Sequence, residues 1–158
     1  MYAKSRKENR GAAHRRRKGT SVVELAVTAP LLLVLVLGII DGGQYVNCYQ
    51  TVSNASREGA RVAARSTTGS VTTVENSVLK YMSDAFPDVS PAVMSTALTV
   101  DVRNEAGTLL TGISLASVPS GNPVQVDVSL QFAAIRYIPG LDGLDNRSIE
   151  ISTILRRE

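Results

Sequence analysis

The sequence predicts an α+β protein: a long N-terminal transmembrane helix packed against a small antiparallel sheet, with a second, shorter helix. Three observations carry this reading. An apolar run near the N-terminus has the length of a bilayer core, a helical stripe of small and branched apolar residues continues beyond it, and the second half of the chain changes to two-residue alternation. With 158 residues in all, the part outside the span holds one modest domain.

The span is the stretch Val22–Ile40, VVELAVTAPLLLVLVLGII, whose single charge is Glu24. Nineteen residues at 1.5 Å each cover about 28 Å, close to the ~30 Å hydrocarbon core. Nothing else in the chain is apolar enough to surround such a segment on all sides. Lys4, Arg6, Lys7, Arg10, Arg15, Arg16, Arg17 and Lys18 precede it, whereas Asp41 is the first charge after it and Arg57 the first base. That asymmetry predicts a single-pass protein of the cytoplasmic membrane, N-terminus cytoplasmic and C-terminal domain extracytoplasmic. The organisation follows: residues 1–19 a basic cytoplasmic leader, 20–41 the membrane helix, 42–158 an extracytoplasmic α+β domain whose first helix extends to about residue 66. A secretory signal peptide would have a shorter core followed by a small-residue cleavage site, and Gly38 is a poor match to one.

The formal net charge of +3 belongs to the leader. Eight of the seventeen Lys and Arg lie in residues 1–19 with one acid, Glu8, leaving nine bases against thirteen acids in the remainder. Whole-chain basicity is therefore no argument for binding nucleic acid, and none is expected. One cysteine, Cys48, makes an internal disulfide impossible and supplies no zinc or redox spacing. The one histidine, His14, sits in the arginine-rich leader as a solvated residue. With no histidine outside the membrane, no Gly-x-Ser-x-Gly turn and no phosphate-binding glycine loop, no catalytic residue, cofactor or metal site is expected.

Gly19 closes the leader, Thr20 follows, and Glu24 is the fifth residue counted from Thr20. This arrangement resembles a type IV prepilin site, which implies a processing site at Gly19 and Thr20 for a prepilin peptidase at the cytoplasmic face. A carboxylate inside a transmembrane segment costs at least a few kcal/mol unless it reaches the headgroups or finds a partner. Cleavage would create that partner, because a new α-amine on Thr20, with pKa near 7.7–8.0, is largely protonated at neutral pH and would pair with Glu24 of an adjacent subunit. The plainer alternative is a carboxylate snorkelling one turn inside the interface. Pro30 withholds the hydrogen bond to the carbonyl of Ala26 and marks either a local bend or simple tolerance, with the Thr28 hydroxyl available to the freed backbone.

Past the span, residues 44–66 contain no proline and place Val52, Ala55, Gly59, Val62 and Ala63 on one helical side. Gly42 and Gly43 are the expected weak point, at about 1 kcal/mol each relative to alanine, and a candidate hinge. The four-residue spacing of Ala55, Gly59 and Ala63 suits close approach of the chain's own domain. Arg57, Arg61 and Arg65 form a second stripe, with Glu58 three residues before Arg61: a solvated face, or a contact for acidic partners or phospholipid headgroups.

Residues 19–66 together, from GTSVVELAVTAPLLLVLVLGIIDGG to QTVSNASREGARVAARS, resemble the TadE family of pilin-like proteins. The family's glycine, its glutamate, its proline within a Leu-rich span, its acid at the span's end and its Ala-Arg-Glu-Gly-Ala-Arg-like segment are represented by Gly19, Glu24, Pro30, Asp41 and Ser56–Arg61. Gly42 departs from the aromatic residue common there. The resemblance implies a minor pilin or pseudopilin of a Tad-type (tight adherence, Flp) pilus or secretion system, with a prepilin peptidase, other pilin-like subunits and an inner-membrane assembly platform as partners. The alternative is an uncleaved single-pass envelope protein whose outer domain binds a partner.

The remaining elements read locally. Val71, Val74, Val78, Leu79 and Met82 share one stripe, predicting a helix over 71–86 ended by Pro87. Leu98, Val100 and Val102 alternate with Thr99, Asp101 and Arg103, the turn Asn104–Gly107 follows, and Leu109 or Leu110 returns. Val124, Val126, Val128, Leu130 and Phe132 predict the cleanest strand, and Ile149, Ile151 and Leu155 another. The loop from Tyr137 to Asn146 is expected at the surface, where Asp142 and Asp145 fall short of the 6–8 oxygens calcium takes.

Overall fold

The computed structural model describes residues 10–112, 114–136 and 147–158. Helix α1 runs over Arg10–Ala64, α2 over Val71–Ala85 and α3 over Pro91–Ala97; the strands are β1, Leu98–Asn104, β2, Leu109–Leu110, β3, Pro123–Gln131, and β4, Ser148–Arg156. Short 3-10 turns cover Ser114–Ser117 and Phe132–Ile135. Residues 1–9 of the leader and the loop 137–146, including Asp142 and Asp145, lie outside the described residues. The chain divides into two compact units between Ile40 and Asp41.

In the first unit the helix begins at Arg10, ten residues before the expected Thr20. The segment RGAAHRRRKG is rich in Ala, Arg and Lys, which lose little side-chain freedom in a helix, and it has no proline to stop the winding. From Thr20 on, the side chains are uncovered: Val22, Leu25, Leu31 and Ile39 are all exposed. The helix continues unbroken through Pro30. Thr28 donates its hydroxyl to the carbonyls of Glu24 at 2.8 Å and Leu25 at 3.4 Å. It therefore does not serve the Ala26 carbonyl left by Pro30, because a helical threonine reaches back three or four residues and Ala26 is only two away.

In the second unit, α1 from Asp41 onward buries Asp41, Gln44, Cys48, Val52, Ala55, Ser56, Ala60 and Ala63, a stripe with steps of three and four. It lies on a fully antiparallel sheet of order β2-β1-β3-β4. Along β3, Val124, Val126, Val128 and Leu130 are buried while Gln125, Asp127 and Ser129 take the other face, as a one-sided sheet requires. The helix comes closest at Gly59. A Cβ there would stand 2.6 Å from Val78 Cγ2 and 3.4 Å from Val126 Cγ1, so only glycine lets α1 settle against both α2 and β3. Ser56 donates its hydroxyl to Val126 O at 3.3 Å and pairs with Thr153 Oγ1 at 2.7 Å.

The second helix matches its expected stripe, with Val71, Val74, Val78 and Met82 buried. Ser70 caps it by accepting from the Thr72 N–H, and the helix stops before Pro87. Helix α3 has no counterpart in the sequence reading. Its start is nonetheless written locally, with Ser90 accepting from the Val93 N–H and Pro91 at the first helical position. Phe132, expected as the last residue of the strand, instead opens the 3-10 turn; it is buried and meets Tyr45 edge to face at 5.2 Å.

The far end of α1 is closed by the C-terminus. The buried Arg157 guanidinium donates to the carbonyls of Ala63 at 3.4 Å, Ser66 at 3.5 Å and Thr68 at 2.9 Å, and the Glu158 N–H donates to Ala64 O at 2.8 Å. These carbonyls have no partner inside the helix, and a cation suits the negative end of its dipole.

Candidate functional site

The expected functional residues fall in two groups along α1. Gly19, Thr20, Glu24 and Pro30 lie in the first unit, all within continuous helix. Thr20 and Glu24 are four apart and therefore on the same face. Glu24 is exposed and makes no ion pair among the described residues.

The arginine stripe lies in the second unit: Arg57 and Arg61 are on the side of α1 turned away from the sheet, Arg65 follows one residue past the end of α1, and all three are exposed. Arg61 is engaged within the helix: its Nε donates to Glu58 Oε2 at 2.8 Å and Nη2 to the other oxygen. This hydrogen-bonded pairing holds the Glu58 carboxyl below its ordinary value and pushes the Arg61 guanidinium up. Arg57 and Arg65 form no ion pair among the described residues, leaving two of the three charges for other contacts.

Sequence reasoning missed how the start of the domain is held. Arg136 Nε donates to Asp41 Oδ1 at 2.9 Å and Nη2 to Oδ2 at 3.1 Å, with the side chains only 2% and 8% exposed. Three residues on, Gln44 Nε2 donates to Ile135 O at 2.7 Å. Gly42 and Gly43 thus stand between two anchors to the same short turn. The available signal was that Asp41 and Gln44 continue the buried stripe of Cys48 and Val52 toward the membrane. Their partners lie more than ninety residues away and carry no local mark.

The sheet face away from α1 is polar. Asp101 and Asp127 stand directly opposite each other in the β1/β3 register, and Arg103 bridges them at 3.2 and 3.0 Å. Burial pushes the Asp127 carboxyl up, but hydrogen bonds from Gln125, Ser152 and Arg103 outweigh it and hold the group below its ordinary value. Among the described residues no group of three or more His, Cys, Asp or Glu could hold a metal ion. Cys48 is buried, and desolvation pushes its thiol up to about 11, so it stays protonated and poorly nucleophilic at neutral pH.

An uncovered apolar helix long enough to cross a membrane, continuing as the packing helix of a one-sheet domain, defines an α+β protein with, among the described residues, one candidate membrane anchor. Residues 19–61 match the family whose model is described as TadE-like protein. The match begins at Gly19 and includes Glu24, Pro30, Asp41 and Ser56–Arg61, the residues that carried the resemblance; it ends before α2 and the sheet. Among curated proteins and among solved structures there is no match. The similarity points to involvement in Tad pilus assembly.

Proposed function

We propose that this chain is a minor pilin or pseudopilin-like structural component in the assembly of a Tad-type pilus or secretion system. The observation that carries the reading is the TadE-like match over residues 19–61, which takes in both Gly19 and Glu24.

In this reading the basic leader orients the precursor in the cytoplasmic membrane with the α+β domain outside. A prepilin peptidase cuts between Gly19 and Thr20. The α-amine so released is largely protonated at neutral pH and pairs with Glu24 of an adjacent subunit, setting axial register. The apolar surface from Val22 to Ile40, uncovered by any of the described residues, associates with the helices of other pilin-like subunits at the assembly platform. Arg57 and Arg65 meet acidic partner surfaces, and the outer domain primes or modulates assembly. The protein's part is structural, with no bond made or broken by its own residues.

The test is the N-terminus of the protein recovered from membranes. A mature chain beginning at Thr20 is expected. An intact Met1 or a cut elsewhere overturns the prepilin reading, and an intact Met1 leaves an uncleaved single-pass envelope protein.

A further inference from the structure

Both edges of the sheet are unpaired among the described residues, since β4 bonds only to β3 and β2 only to β1. A free edge presents a row of backbone donors and acceptors and is ordinarily protected by charge, proline or a bulge. Here β2 is only two residues long and β4 carries the exposed charges Glu150 and Arg156, yet apolar side chains are also uncovered at both edges. Ile154 on β4 is 60% exposed, Leu155 40%, and Leu109 on β2 46%.

The register relates these residues across the sheet. Leu109 pairs with Arg103, Arg103 with Gln125, and Gln125 with Ile154, so Leu109 and Ile154 terminate one row at opposite edges. The strands alternate in direction, and there are four of them. A second copy placed edge to edge in the same orientation therefore brings its β2 beside β4 in the antiparallel sense, with Ile154 next to the neighbour's Leu109. Two rows further, Arg156 lies level with the turn that holds Glu105. Arg156 and Glu105 are both exposed and neither forms an ion pair among the described residues.

We propose that copies of this chain associate head to tail through the two sheet edges, β4 of one receiving β2 of the next, with Ile154 against Leu109 and Arg156 against Glu105. The contact is heterologous, so it repeats. Each four-stranded step advances about 19 Å at ~4.8 Å per strand. The association does not depend on cleavage after Gly19.

The test uses the full-length chain in its membrane and a short thiol-reactive cross-linker, with the native chain and its buried Cys48 as background. Ile154→Cys and Leu109→Cys in one chain should give a ladder of multimers, and either alone should give none. Arg156→Glu should lower the ladder about two- to fivefold, the range of an exposed ion pair, and Glu105→Arg added to it should restore the yield. Thermal unfolding of each variant should match the native chain, because all four positions are exposed. Absence of the ladder in a folded double-cysteine chain, or dimers from Ile154→Cys alone, overturns the proposal. So does a ladder indifferent to the charge reversal.

Discussion

Asp41 and Arg136 form a buried, two-point ion pair that fastens the first residue of the second unit to the turn following β3. Two desolvated charges that satisfy each other act as a positional pin. Removing one partner by Asp41→Ala is expected to cost about 3–5 kcal/mol. Asp41→Asn with Arg136→Met should recover much of that loss. Thermal unfolding of the detergent-solubilised chain measures both, and an unchanged midpoint for Asp41→Ala would contradict the burial of the pair.

Glycine has opposite meanings at two places on α1. Gly59→Ala forces a methyl into the short, buried Val78 side chain and is expected to destabilise the domain by about 1–3 kcal/mol. Gly42→Ala and Gly43→Ala enter open space and should stabilise the helix, by up to about 1 kcal/mol each. Denaturant midpoints of the three variants distinguish a packing glycine from two held between anchors.

Arg157→Ala removes the donor to the carbonyls of Ala63, Ser66 and Thr68. Leaving such groups unpaired is expected to cost about 1–3 kcal/mol. Hydrogen exchange should quicken in the last turn of α1 while the N–H groups of β3 keep their protection.

Acid should weaken the sheet face through Asp127. Its carboxyl binds a proton less readily folded than unfolded, so its stabilisation is complete above the ordinary value of 3.8 and is lost as pH falls below it. Unfolding midpoints measured from pH 5 downward should decline more steeply for the native chain than for Asp127→Asn.

For processing and assembly, Gly19→Ala should block cleavage. Glu24→Ala should be cleaved but poorly incorporated. Immunoblots of membrane and sheared-pilus fractions separate the two, and normal incorporation of Glu24→Ala would remove its register role.

The apolar run from Val22 to Ile40, the stripe through Val52, Ala55 and Gly59, the helix from Val71 and the alternation along β3 were all determined by the sequence, because each is a local period a few residues wide. The Gly19 to Glu24 spacing was legible for the same reason. Tertiary structure alone decided that Asp41 meets Arg136, that Arg157 closes α1, and that Leu109 and Ile154 end the same row. Those relations join positions roughly 45 to 95 residues apart, and a charge or an exposed leucine is locally the same residue whether or not a partner comes to it. Only the antiparallel register and the seating of α1 at Gly59 bring such residues together, and they arise when the whole domain packs.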